Sequence, residues 1–135
     1  YKLKNSPFKI TFKCDDNLVI ETYPSIIYQA VTNIINNSLL HAFENMDCGT
    51  IDLIINNNND NIDISIKDDG VGISKENLFH LYRPFFTTKH GEGGTGLGLN
   101  IIKDLINNKL NGTIECFSTL GVGTEFMIHL PKEFI

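Results

Sequence analysis

The sequence has no tryptophan, a single arginine (Arg83) and no C-x-x-C pair. The shortage of arginine and the lack of paired cysteines each remove a class of function. A general nucleic-acid binder needs clustered Lys and Arg to displace counterions. Here 11 basic residues face 16 acidic ones, for a formal net charge of -5. The cysteines, Cys14, Cys48 and Cys116, are odd in number and far apart, which indicates neither a zinc site nor a disulfide framework. Reduced thiols in a cytoplasmic setting are the simplest expectation. No apolar run approaches the ~18 residues that a membrane span needs, and no signal peptide is visible, so membrane contact by this chain is not expected. Proline is scarce at four residues, and no repeat or linker breaks the chain.

What is present suits one folded unit. The 135 residues are 41% hydrophobic and 20% charged, the balance of a soluble globular domain with one core. The first residue is Tyr1, not Met, so the chain is expected to be a piece of a longer protein.

Hydrophobic spacing gives the elements. Phe8, Ile10, Phe12 and Cys14 alternate with polar residues, the pattern of a half-buried strand, and Leu18–Glu21 reads as a second short one. Pro24 opens a helix that runs to about Asn45, since proline suits a first helical turn. Its buried stripe is Ile27, Val31, Ile34, Leu39 and Ala42. Asn33, Asn37 and His41 form a second, polar line at i, i+4 and i+8. Ile51–Ile55 and Ile62–Ile66 are strands about an Asn-rich turn, because Asn and Asp tolerate the positive φ of hairpins. Lys75–Tyr82 reads as a short helix that Pro84 breaks. Phe85–Gly94 is expected to be mobile. Gly96–Lys109 is a helix with an apolar face, ended by Asn111-Gly112. Thr113–Phe117 and Glu125–Leu130 are strands. Helices can cover one face of such a sheet, which predicts an α+β two-layer sandwich with a mostly antiparallel sheet.

Three segments carry chemistry. Gly94-Thr95-Gly96-Leu97-Gly98 opens a helix, where exposed backbone N–H groups and partial positive charge suit phosphate. It is not a P-loop, and it does not sit in a Rossmann strand–turn–helix unit. A flexible loop closing onto a helix is the alternative. Asp68-Asp69-Gly70-Val71-Gly72 follows a strand. A carboxylate there can accept from the exocyclic amine of adenine, where guanine offers a carbonyl, and Gly70 and Gly72 would let backbone approach a flat base. An acidic turn is the alternative. The line Asn33, Asn37, His41 offers amide oxygens, hard ligands that suit Mg²⁺, and an imidazole for phosphate. A partly exposed helix histidine is the alternative for His41.

Taken in order, four boxes resemble the catalytic ATP-binding domain of sensor histidine kinases. They are Asn33 to Asn37, Asp68 to Gly72, Arg83-Pro84-Phe85-Phe86-Thr87-Thr88-Lys89, and Gly94 to Gly98. The same superfamily holds DNA gyrase, the mismatch-repair ATPase and the heat-shock chaperone ATPase. The likeness runs from about Pro24 to Pro131, and Gly123-Thr124-Glu125-Phe126 resembles the closing strand. It implies that residues 1–135 are a single ATP-binding catalytic domain of the Bergerat type, a two-layer α+β sandwich of a mixed, mostly antiparallel sheet and helices. By that resemblance Asp68 reads the adenine amine, with Thr124 helping through water. Gly70, Gly72 and Ile73 shape the base pocket. Asn37 ligates Mg²⁺, and Asn33 and His41 lie along the phosphates. Phe85 anchors a lid, Phe86–Gly94, from which Lys89 reaches the terminal phosphate, a solvated lysine being the alternative. Gly94, Gly96, Leu97 and Gly98 form a backbone cradle, and Thr87, Thr88 and Thr95 complete the expected ATP-binding set.

Two departures from the family pattern matter. Leu40 stands where many members carry Lys, which shifts phosphate contact to His41 and Lys89. Asn33 stands where the hydrolysing cousins carry the Glu that activates water, and an amide cannot take that proton. None of His41, His80, His90 or His129 is followed by Asp or Glu, as the family's phosphoacceptor typically is. The acceptor is therefore expected on a separate helical dimerisation domain of the same parent, with a response regulator downstream. A serine protein kinase of the same fold, of the anti-sigma type, and a non-catalytic nucleotide-binding module are the rival expectations.

Overall fold

The computed structural model describes residues 8–15, 18, 22–83 and 98–132. Strand β1 (Phe8–Cys14) leads to helix α1 (Pro24–Asn37), which continues without a break into a π-helical turn, Ser38–Ala42. A hairpin follows, β2 (Gly49–Asn58) and β3 (Asn61–Asp68), then the short helix α2 (Lys75–Phe79). Helix α3 (Gly98–Asn108) and a second hairpin, β4 (Thr113–Thr119) and β5 (Gly123–Pro131), complete the order.

The five strands form one sheet in the order β1-β2-β3-β5-β4. β1 and β2 are parallel and every other pairing is antiparallel. A parallel pair needs a long crossover, and α1 supplies it. The sheet is mixed and mostly antiparallel, so the α+β expectation holds.

Period-two alternation sorts each strand's side chains. Ile62, Ile64 and Ile66 of β3, Phe126, Ile128 and Leu130 of β5, and Ile114 of β4 are buried. They meet Ala30 and Ile34 of α1 and Ile102 and Ile106 of α3 in one core. The opposite face is polar: Asp63 meets His129, and Ser65 meets Glu125. The Asn-rich turn behaves as its composition predicts, with Asn59 at φ 57. Asn111, at φ 55, ends the α3 segment, where the Gly112 N–H donates to the Ile106 carbonyl at 2.9 Å.

Four local expectations need correction. The Pro24 helix is α-helical only to Asn37, because the turn at Ser38–Ala42 widens to i→i+5 bonding. Its stripe is centred on Ala30, Ile34 and Ser38, with Ile27, Val31, Leu39 and Ala42 half-buried beside it. Helix α2 stops at Phe79, since Leu81 and Arg83 donate back over three residues to Leu78 and His80. β1 is an edge strand, so Phe12 is 64% exposed although its phase is inward. Of Leu18–Glu21, all but Leu18 lie outside the described residues.

Candidate functional site

The inward face of the sheet changes character at one end. Ile62, Ile64 and Ile66 are followed in the same phase by Asp68. Leu130, Ile128 and Phe126 are followed by Thr124, and Ile114 and Cys116 by Ser118. Strand register aligns these three, because Asp68 pairs with Thr124 and Thr124 with Ser118. A polar row therefore closes an apolar sheet face. Asp68 and Thr124 are both 5% exposed, so neither is a surface polar residue that solvent satisfies.

Asp68 is held from three sides. Its Oδ1 accepts from the Gly70 N–H at 3.0 Å and its Oδ2 from the Ser38 hydroxyl at 3.0 Å. The Thr124 N–H also donates to it. Burial pushes the carboxyl above its ordinary value, the three donors pull it back, and the neighbouring charge of Asp69 adds to the rise. Asp69 itself turns away: its Oδ1 accepts from the Thr50 N–H at 2.8 Å on β2. The Asp-Asp pair thus divides into one inward acceptor and one loop anchor.

The loop after β3 is pinned by the protein's own backbone. The Val71 N–H donates to the Ala42 carbonyl at 2.7 Å, at the end of the π turn. The Gly121 N–H donates to the Val71 carbonyl at 2.8 Å, and the Ile73 N–H donates to Ser118 Oγ at 2.7 Å. A β-carbon on Gly70 would stand 2.6 Å from that of Ala42. One on Gly72, at φ 79, would stand 2.7 Å from the Thr119 carbonyl carbon. Both glycines are required by packing against the π turn and the β4–β5 turn.

The polar line of α1 is partly rearranged. Asn33 and Asn37 keep α-helical spacing and are half-buried. His41 falls inside the π turn, so it leaves the ideal line. A β-carbon on Gly98 would stand 2.6 Å from Asn33 Oδ1, so the Asn33 amide lies against the first turn of α3. Leu40 is half-buried. Phe85, Thr87, Thr88, Lys89, Gly94, Thr95, Gly96, Leu97 and the Phe86–Gly94 lid lie outside the described residues.

Two residues joined to this row were not expected from the sequence. Ser38 lies on the buried stripe, four residues after Ile34, where a hydroxyl needs a partner. Ser118 follows Ile114 and Cys116 in strand phase. Phase alone was the signal for both.

Known proteins agree with this geometry. The sequence profile described as histidine kinase-, DNA gyrase B- and HSP90-like ATPase matches residues 22–134. Sporulation kinase A of Bacillus subtilis is 37% identical over 119 residues, covering 87% of this chain and 18% of that protein. Sensor protein EvgS of Escherichia coli O157:H7 is 33% identical over 123 residues, covering 89% of this chain and 10% of its own length. The chain therefore spans less than a fifth of these curated relatives. The catalytic domain of histidine kinase ThkA, in a nucleotide-free form, superimposes with a TM-score of 0.83 at 26% identity, covering 98% of this chain and 86% of that one. The resemblance drawn from the four boxes is thus borne out by relatives that are sensor histidine kinases. With its sheet order, its polar row and this profile match in agreement, the chain belongs to the family of histidine kinase-, DNA gyrase B- and HSP90-like ATPases.

Proposed function

We propose that this chain binds Mg-ATP and passes the γ-phosphoryl group to a histidine on a separate dimerisation and phosphoacceptor domain of its parent. A response regulator then acts downstream. The observation that carries the reading is the buried Asp68 carboxylate, fixed by Gly70, Ser38 and Thr124 at the polar end of the sheet. An ionised carboxylate so oriented accepts from an exocyclic amine and repels a carbonyl oxygen.

The chain's own residues then divide the work. Asp68 and Thr124 hold the base, and the pinned loop from Gly70 to Ile73 walls it. Asn33 lies against the start of α3, and that helix N-terminus is assigned to the phosphates. Asn37 offers a neutral amide oxygen, a donor that suits Mg²⁺ sharing its shell with phosphate and water. The ion, when bound, neutralises charge as the γ-phosphoryl leaves. Lys89 and His41 are assigned to the phosphates, and the 85–97 segment to lid and cradle. Asn33 cannot act as a base toward water, which favours transfer over hydrolysis.

The phosphoryl acceptor is assigned elsewhere. His129 is held by Asp63 at 2.6 Å and Glu115 at 3.4 Å on the outer face of the sheet, while Asp68 lies on the inner face. His80 caps α2, and His41 lies in the π turn. Among the described residues no helix is long and apolar enough to cross a membrane. The reading sets the domain on the cytoplasmic side, where ATP is available.

The test supplies γ-labelled ATP, this chain and the helical hairpin of the parent. Label on the hairpin that is lost in acid and kept in base, as a phosphoramidate is, supports the reading. Acid-stable label points to a serine kinase of the same fold. No transfer despite tight nucleotide binding points to a binding module.

A further inference from the structure

Three hydroxyl groups lie at the polar row, and their protons can be counted. Ser38 Oγ gives its proton to Asp68 Oδ2. Ser118 Oγ lies 2.9 Å from the Gly123 carbonyl, which can only accept, so the single Ser118 proton goes there. Ser118 also receives the Ile73 N–H at 2.7 Å. Its remaining contact is Thr124 Oγ1 at 2.7 Å. With the Ser118 proton already placed, that contact exists only if the Thr124 hydroxyl donates. Thr124 is left with acceptor capacity alone, beside a carboxylate that is also acceptor alone.

We propose that Ser118 is a specificity-determining positioning residue: it fixes the direction of the Thr124 hydroxyl and so makes this end of the sheet an acceptor-only surface. Such a surface selects a base bearing an exocyclic amine over one bearing a carbonyl in the same place. It rests on the assignment of Asp68 and Thr124 to the base of the nucleotide. It adds that rejection of the wrong base is set by a residue on the outermost strand β4, one step beyond the acceptors themselves. A free threonine hydroxyl can rotate and donate to a carbonyl. A threonine whose proton is committed to Ser118 cannot, and an oxygen at the exocyclic position then meets two acceptors with no donor, an unpaired arrangement that binding sites reject strongly.

The test compares ADP with the diphosphate of 6-methoxypurine riboside by calorimetry on the purified chain, in the presence of Mg²⁺. That analogue carries an oxygen acceptor where ADP carries its amine and, unlike inosine, leaves the neighbouring ring nitrogen without a proton, so only the exocyclic position changes. The wild-type chain should prefer ADP. Ser118→Ala should lower that preference by about tenfold, the scale of one hydrogen bond, because Thr124 becomes free to donate. Ser118→Thr, which restores the hydroxyl, should retain the wild-type ratio. Equal losses for both nucleotides in Ser118→Ala would show a role in supporting the loop only, and would overturn the inference. A wild-type chain with no preference would instead overturn the assignment of Asp68 to adenine. Should Ser118→Ala not fold, Ser118→Cys serves: its thiol is a weak acceptor, so an intermediate ratio supports the inference and a wild-type ratio overturns it.

Discussion

Gly72 and Gly121 offer a matched pair for testing how the loop from Gly70 to Ile73 is held. Their backbones have nearly the same left-handed φ, 79° and 80°. Their surroundings are opposite. A β-carbon on Gly121 meets nothing within 4 Å, whereas one on Gly72 would lie 2.7 Å from the Thr119 carbonyl carbon and 2.9 Å from Leu120 Cα. Both of those neighbours are backbone, which cannot rotate aside. Alanine at Gly121 therefore carries the left-handed penalty alone, about 1–2 kcal/mol. Alanine at Gly72 adds overpacking, about 1–3 kcal/mol more. The loop must also lift off the β4–β5 turn, breaking Gly121 N–H to Val71 or Ile73 N–H to Ser118. Urea unfolding of the two variants reads the difference directly. In a thermal melt it corresponds to about 3–5 °C for each kcal/mol at this chain length. Gly72→Ala should also weaken nucleotide binding, and Gly121→Ala should not. Equal stability losses in the two variants would refute the claim that the loop is packed against the turn.

Other outcomes follow from the same geometry. Because burial raises the Asp68 carboxyl, ADP affinity should begin to fall at a higher pH than an exposed aspartate would cause as the solution is acidified. Calorimetry across pH checks this, and a profile set by an ordinary carboxyl would contradict it. Asp63, first, and then Glu115 raise the His129 imidazole, with burial opposing them. A raised histidine stabilises the fold fully below its unfolded value, near 6.5, and loses that contribution as pH rises through the folded value. His129→Gln should flatten the melting temperature against pH just above that value, an effect kept small by the side chain's 37% exposure. Burial pushes the Cys116 thiol up to about 12, so thiol reagents should label exposed Cys48 quickly and half-buried Cys116 much more slowly. Labelling of both at equal rates in the folded chain would contradict the raised thiol and partial burial of Cys116.

Much of the architecture was legible because period-two and helical spacing survive in single residues. Ile62, Ile64 and Ile66 announced β3, and Asn59 announced its turn. Asp68 and Thr124 were legible through box order. The π turn was not, because Ser38–Ala42 has no proline or glycine to mark a change of pitch, and the α-helical line to His41 was drawn through it. Ser38 and Ser118 were passed over for a related reason. Each continues an apolar phase with a hydroxyl; only the packing of the π turn against β3 shows that Ser38 meets Asp68, and only the register of β4 on β5 shows that Ser118 meets Thr124. The burial of β1 was misjudged because alternation reports the facing of a side chain, not whether its strand stands at an edge. Gly70 and Gly72 were read as room for a base. The structure adds a second reason for them, since Ala42 and Thr119 fill the space where their side chains would stand.

The most direct test of the central claim is calorimetry of Mg-ADP with the purified chain and its Asp68→Asn variant. Asparagine preserves shape but replaces one acceptor oxygen with an NH₂ donor, and both variants should melt cooperatively. The account predicts Mg-dependent binding to the wild-type chain and loss of most of that affinity in Asp68→Asn. Binding of equal strength to both, or no binding to either, would contradict it.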